Sequence, residues 1–288
     1  MADVQTSSTR TIQQATEMRA MVVAGQRDGE SVGFVPTMGA LHAGHLSLVD
    51  AALAECDRTV VSIFVNPTQF GPGEDLQRYP RLLQEDLELL SDRGCWLAFA
   101  PNEAEVYKAG HETYVEVGSV AKQWEGSARP THFRGVATIV LKLLHIVPAD
   151  VVYFGQKDYQ QTLVVERMIE DLNLPTKIRV CPIVREADGL AMSSRNQLLS
   201  AAERKQAGAL WQSLKLAEEL HNAGETDSGR IRAAMQQMIS AAEDVELDYI
   251  GFFAQGSLRE VPTVRGPTVV AVAAKVGTTR LIDNHTLS

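Results

Sequence analysis

The chain has 288 residues, 45% of them hydrophobic and 22% charged, with a formal net charge of −9. That balance is typical of a globular protein of one large or two medium domains, and its acidity argues against nucleic acid, which needs a broad basic surface. No run of about 18 apolar residues occurs, residues 1–10 lack an apolar signal core, and the cysteines Cys56, Cys95 and Cys181 form no paired spacing, so a reduced cytoplasmic protein with no membrane span is expected.

In chain order, residues 32–35 read as a buried strand. After a polar turn, Leu46, Leu48, Val49, Ala52 and Leu53 repeat at helical spacing. Residues 60–65 form a β-branched run, the leucines at 82, 83, 87, 89 and 90 mark a helix, and 96–99 is a short strand. An apolar helix is expected over 136–147, stopped by Pro148, then a strand at 151–154, a helix at 163–172 and a strand at 178–180. Such β–α alternation predicts a Rossmann-like, doubly wound parallel sheet with helices on both faces and ligands beyond the carboxyl ends of the strands. After about residue 183 the pattern changes. Helices are expected over 201–222, ending near Gly224, and from Asp227 or Ser228 to about 242, with strands at 247–253 and 268–276. The division is therefore a nucleotide-binding domain at 1–183 and a smaller α+β C-terminal domain at 184–288.

The polar turn at residues 36–45, Pro-Thr-Met-Gly-Ala-Leu-His-Ala-Gly-His, is the most informative stretch. It places His42 and His45 where a strand passes into a helix, and unpaired amides and the helix dipole there favour a phosphate. Gly39 and Gly44 leave room for backbone to approach a nucleotide. A surface His pair is the plainer alternative. Zinc is disfavoured, because neither an adjacent Glu nor paired cysteines accompany the histidines. Residues 154–161, Phe-Gly-Gln-Lys-Asp-Tyr-Gln-Gln, again lie between strand and helix. Lys157 suits phosphate oxygens and Asp158 suits magnesium or a ribose hydroxyl; a charged helix N-terminus explains the same residues without a ligand. Residues 192–196, Met-Ser-Ser-Arg-Asn, offer hydroxyls and a guanidinium for a triphosphate, in a loop placed to act as a lid, or else a serine cap with a solvated arginine. Gln69, in the segment 66–71 that follows the second strand, and Gln161 are amides suited to a small hydroxy acid. Tyr79 reads as packing. For His132 and Arg134, capping and anion contact are both open.

Together these motifs resemble the pantoate–β-alanine ligase family, with further likeness at 129–135 and 277–284. That family belongs to the cytidylyltransferase-like superfamily and is akin to class I aminoacyl-tRNA synthetases. Residues 38–45 resemble the synthetases' His-Ile-Gly-His signature and 192–195 their mobile Lys-Met-Ser-Lys-Ser loop. The resemblance implies that pantoate is adenylated by ATP with release of pyrophosphate, and that β-alanine then displaces AMP to give pantothenate. It implies an ATP site formed by Met38, Gly39, Ala40, Leu41, His42, Ala43, Gly44, His45, Gly155, Gln156, Lys157, Asp158, Val184, Met192, Ser193, Ser194 and Arg195. His45 is then the proton or hydrogen-bond donor to the leaving phosphates, with His42 beside it, and Lys157 and Arg195 neutralise charge. Gln69 contacts pantoate and β-alanine, Gln161 contacts pantoate, and Asp158 faces Mg2+ or ribose. A homodimer is implied as well. At position 156 the family often carries Glu, where this chain has Gln156. The competing readings are a nucleotidyltransferase acting on a phosphorylated acceptor, and a non-catalytic nucleotide- or tRNA-binding relative. The first leaves Gln69 and Gln161 unexplained; the second conflicts with the acidic charge and the intact Lys157, Arg195 and histidines.

Overall fold

The computed structural model describes residues 9–71 and 73–288. The polar stretch 1–10 thus lies outside the described residues except for Thr9 and Arg10. Two compact units are present: one comprises residues up to Gly155 together with Val164–Cys181, the other Gln156–Leu163 with Pro182–Ser288.

Unit 1 is built on β1 (Arg10–Ile12), α1 (Ala15–Arg27), β2 (Val32–Thr37), α2 (Ala43–Glu55), β3 (Arg58–Ile63), α3 (Leu83–Ser91), β4 (Leu97–Phe99), α4 (Glu103–Val106), α5 (Glu125–Ala128), α6 (His132–Ile146), β5 (Val151–Gly155), most of α7 (Tyr159–Asp171) and β6 (Lys177–Cys181). Its sheet has six parallel strands in the order β1-β4-β3-β2-β5-β6. Successive residues alternate between the two faces, as strand geometry dictates. Phe34, Val60, Leu97 and Val152 enter one core with Met18 and Val22 of α1 and Val136, Ile139, Val140 and Leu143 of α6. Val35, Val61, Ala98 and Tyr153 enter a second core with Leu46, Val49 and Ala52 of α2 and Leu90 of α3. Each Val, Leu, Ile, Phe or Met so buried contributes about 1.5–3 kcal/mol, which is why these strands read as apolar runs.

The chain leaves β2 toward β3 and β4, then returns to the other side of β2 for β5 and β6. The order reverses between β2 and β5, the position where open α/β sheets bind ligands beyond their carboxyl ends. This is the doubly wound sheet read from the sequence.

β1 and α1 escaped that reading, because β1 is three residues long at a sheet edge and α1 buries only Met18, Val22 and Gly25. The helix expected at 136 begins one turn earlier, at His132, and so places Gly135 inside it. Similarly, α7 begins at Tyr159 rather than 163.

Unit 2 contains α8 (Ala201–Asn222), α9 (Ser228–Ser240) and the antiparallel strands β7 (Val245–Ala254), β8 (Thr268–Val276) and β9 (Thr279–Leu287), ordered β7-β8-β9. Ser200 and Glu203 form a capping box on α8, and Asp227 caps α9 by accepting from Gly229 and Arg230. Leu210 and Leu214 of α8, Ile231 and Met235 of α9, and Phe252, Val270 and Val272 share one core. β9, absent from the sequence reading, is mostly polar, buries Asp283 and Asn284 beside Leu281 and Leu287, and pairs with β8 along its full length. Segment 156–163 is tied to this unit because Asn284 of β9 donates to Gln156 O and Lys157 O, and Gly256 N donates to Tyr159 OH. Among the described residues no helix is long and apolar enough to cross a membrane.

Candidate active site

The turn from β2 to α2 carries the first group of sequence-selected residues, Met38 through His45. Gly39 has φ +82° and Ala40 φ +51°. A Cβ on Gly39 would lie 3.0 Å from both Asp86 Oδ2 and Ile63 Cγ2, so packing as well as the left-handed backbone selects glycine there. Thr37 Oγ1 donates to Ser62 O and accepts from Gly39 N. The buried Asp86 of α3 accepts from Ala40 N at 2.9 Å and Leu41 N at 2.7 Å. Burial pushes its carboxyl up, while those two amides pull it back down. Asp86 was not singled out from the sequence. Its signal was an acid in register with Leu82 and Leu90 on the apolar stripe of α3.

His42 is the N-cap of α2, and its Nδ1 accepts from Gly44 N at 3.1 Å. A neutral ring accepting at Nδ1 holds its proton on Nε2, so His42 is built as an Nε2–H donor. The His42 and His45 rings stack, with centroids 4.0 Å apart. Both are half-buried.

The segment after β3 holds Gln69 by several contacts. Asn66, 1% exposed, donates to Gln69 Oε1 and Gly135 O and accepts from Thr68 and Tyr107 OH. Gln69 Nε2 faces Met38 Sδ at 3.0 Å. The Gln69 carbonyl accepts from Arg129 Nη2 at 3.3 Å and lies 2.8 Å from His132 Nδ1. A carbonyl only accepts, so His132 donates from Nδ1. Burial, reinforced by the nearby Arg129 charge, lowers the His132 pKa to about 4, which keeps the ring neutral. Arg129 in turn grips Glu74 through two bonds of 2.8 and 2.6 Å; burial works against ionisation of Glu74, and this fork outweighs it, leaving the carboxyl below its usual range. His132 thus fixes Gln69, and the Arg134 guanidinium lies 4.0 Å from the Tyr114 ring centroid. Tyr79 is buried against Phe70, as expected of a packing residue. Gly155, at the end of β5, has open space where a Cβ would project.

The second group lies in unit 2. Gln156–Asp158 is a single 3-10 turn, with Lys157 Nζ 3.9 Å from Asp158 Oδ1. Lys157 is 19% exposed at its side chain and Asp158 is 48% exposed. Gln161 is half-buried on α7. Val184 O accepts from Met192 N, and Arg185 bridges to Ala191, so a short hairpin leads into the 192–195 loop. Ser193 caps a 3-10 helix, Ser194–Leu198, by accepting from Arg195 N. Asn196 anchors the loop's base by donating to Glu186 Oε1 and Ala191 O. Arg204 clamps Glu186 and Asp188 below it. The hairpin is pinned by Arg185, whose guanidinium lies 3.7 Å from the Trp211 centroid and forms two bonds to Asp283. Sequence reasoning missed Arg185, Asp283 and Trp211 as a set, because no spacing links three residues brought together only by folding.

A parallel sheet with its switch point at a histidine-bearing, glycine-containing turn defines an α/β enzyme of the nucleotide-binding, doubly wound class. Comparison with known proteins narrows this. The model of the pantoate-β-alanine ligase family matches residues 10–286. A pantothenate synthetase of Roseiflexus castenholzii is 54% identical over 254 residues, covering 88% of this chain and 91% of that protein. One from Moorella thermoacetica is 48% identical, covering 96% and 98%. The crystal structure of pantothenate synthetase from Thermus thermophilus matches with a TM-score of 0.92 at 42% identity, covering 96% of this chain and 99% of that one. A pantoate-β-alanine ligase from Francisella tularensis, crystallised with β-γ ATP and β-alanine, matches with a TM-score of 0.81 at 32% identity, covering 96% and 97%. The chain belongs to the pantoate–β-alanine ligase family.

Proposed function

We propose that this chain joins pantoate to β-alanine at the expense of ATP, through a pantoyl adenylate, releasing pyrophosphate and then AMP. The observation that carries this reading is a family match running from residue 10 to residue 286. The reaction class is amide-bond-forming ligation, and ATP is a substrate.

The residue roles follow from the chemistry. The first step brings a carboxylate to a polyanion, so its barrier is mainly electrostatic and is lowered by oriented donors and positive charge. In unit 1, His42 Nε2–H and the amides at the start of α2 supply donors for phosphate oxygens, with His45 donating to the leaving pyrophosphate. The Asp86 clamp holds this turn in one conformation, so the donors need little reorganisation when charge develops. In unit 2, Lys157 and Arg195 neutralise phosphate charge, and Met192–Arg195 with Val184 completes the ATP contacts. The second step needs an uncharged amine held close to an acyl carbon, which is a matter of position. The Gln69 amide, fixed at its carbonyl by Arg129 and His132 and at its side chain by Asn66, suits that purpose, with Gln161 as a further contact to pantoate.

Among the described residues no three His, Cys, Asp or Glu side chains are grouped to hold a metal. Mg2+ would arrive with the nucleotide, since this ion is commonly bound by phosphates plus one or two carboxylates. The half-exposed Asp158 is the carboxylate proposed to meet it. When bound, Mg2+ would offset phosphate charge. A cytoplasmic homodimer using no nucleic acid partner completes the proposal.

The test is pyrophosphate and AMP release from ATP, for the wild type and Lys157→Ala. Pyrophosphate that requires pantoate, AMP that requires β-alanine as well, and a fall of about 10²-fold or more in Lys157→Ala are expected. Bound ATP with neither product formed refutes the ligase reading.

A further inference from the structure

The end of the chain approaches the proposed phosphate-binding turn of unit 2 from an unexpected direction. Asn284, on the last strand β9, is 2% exposed. Its Nδ2 donates to Gln156 O at 2.9 Å and Lys157 O at 3.0 Å, which uses both amide hydrogens. Its Oδ1 accepts from Gln156 Nε2 at 3.2 Å, and the same Nε2 lies 3.2 Å from Thr286 Oγ1. The carboxamide orientation is therefore determined. Two carbonyls can only accept, so Nδ2 must face them, and Oδ1 then needs a donor. Gln156 supplies one; a glutamate at that position would set a carboxylate against Oδ1.

The strand position of Asn284 is itself fixed. Its N–H donates to Asp283 Oδ1 at 2.7 Å and its carbonyl accepts from Arg185 Nη2 at 3.1 Å. Arg185 also binds Gly189 O and both oxygens of Asp283, whose side chain is 1% exposed. Arg185 opens the hairpin that leads into the 192–195 loop, so the same pair of β9 residues is bonded to both cation-bearing segments of this unit.

We propose that Asn284 is a positioning residue for adenylation. Through the 156 and 157 carbonyls it sets the direction in which Lys157 leaves the chain, with the Gln156 amide donating to its Oδ1. This rests on the phosphate role proposed for Lys157. Lys157 has four rotatable side-chain bonds, so only a fixed backbone origin limits where its ammonium can reach. Asn284→Ala removes both donors and frees that origin, whereas its effect on β-alanine capture should be small.

The experiment measures single-turnover pyrophosphate formation, and separately AMP formation on adding β-alanine to preformed adenylate, in Asn284→Ala, Gln156→Glu, Lys157→Ala and the Asn284→Ala/Lys157→Ala double variant. Arg280→Ala, which removes a surface ion pair with Asp248 from the same strand, reports on loss of β9 stability alone. Asn284→Ala is expected to slow the first step about 30- to 100-fold and the second less than about threefold. Gln156→Glu, which keeps the Asn284 donors to the two backbone carbonyls, should lose about tenfold in the first step and stands as the reading if Asn284→Ala does not fold. The double variant should be no slower than Lys157→Ala alone, because without the lysine its positioning has nothing to act on. Losses that multiply, an equal fall in both steps, or a wild-type first step in a folded Asn284→Ala while Lys157→Ala is slow would each overturn the proposal. A wild-type rate in Lys157→Ala instead removes the phosphate role of Lys157, and this inference falls with it.

Discussion

Replacing Gly135 by alanine should cost this enzyme more activity than stability. Gly135 lies in the first turn of α6, and a Cβ there would fall 2.3 Å from Thr68 O and 2.7 Å from Gln69 Cα. Real Cβ contacts do not go below 3.0 Å, so the carbonyl must retreat by at least 0.7 Å, the difference from 2.3 Å. The segment has little freedom to do so, because Asn66 bonds both Gln69 and Gly135 O, and Arg129 and His132 hold the Gln69 carbonyl. Overpacking of this kind costs about 1–3 kcal/mol. Against it stands a gain of about 1 kcal/mol from replacing glycine within a helix. The net loss of stability is then about 0–2 kcal/mol, small for a chain of this length. In the substrate-contact role proposed for Gln69, its displacement by a large fraction of an ångström is expected to cost about 10²-fold in rate. Gly208→Ala is the internal control. It is also helical, but a Cβ there meets nothing within 4 Å, so only the propensity gain remains. The assay is kcat and KM for pantoate and β-alanine beside a urea midpoint for each variant. Gly135→Ala with wild-type kinetics, or Gly208→Ala as damaging as Gly135→Ala, would falsify the close-approach argument.

Two further outcomes are expected. His132 titrates near 4 in the folded chain against an ordinary value of 6.5, so between these values the unfolded chain binds the extra proton and stability falls as pH drops. Over pH 7 to 5 the loss attributable to this ring is at most about 2 kcal/mol, and His132→Gln should show a correspondingly flatter urea-midpoint profile; parallel profiles would contradict the buried neutral ring. Asp86→Ala leaves the Ala40 and Leu41 amides without their acceptor, costing about 1–3 kcal/mol for each and loosening the turn that carries His42 and His45. Asp86→Asn should recover only part of this, because one of its two positions becomes a donor facing an N–H. An unchanged KM for ATP in a folded Asp86→Ala would show that the turn keeps its shape unaided.

The motif residues were legible because their chemistry is local. A strand, a turn with glycines and histidines, and a helix follow one another within 32–55, and the structure has them as β2, the turn and α2. Lys157 and Asp158 were found in the same way, directly after β5. What escaped was the support. Asp86, Asn66 and the Arg129–Glu74 pair act on residues distant in the chain, and nothing in a one-dimensional pattern distinguishes a buried carboxylate that accepts two amides from a solvated one. Gly39 was read as room for a nucleotide, whereas the folded chain shows Asp86 and Ile63 filling the space beside it.

Position 156 makes the same point more sharply. From the sequence it was a departure without a meaning; in the fold its amide donates to Asn284 Oδ1, 128 residues later. Hydrophobic periodicity determined that this chain would form a doubly wound parallel sheet followed by a smaller α+β unit, because burying apolar surface is a property each segment carries by itself. Which polar side chains are sealed against which backbone groups was decided only when strands distant in sequence became neighbours, because a hydrogen bond depends on the position and direction of two partners and not on either alone.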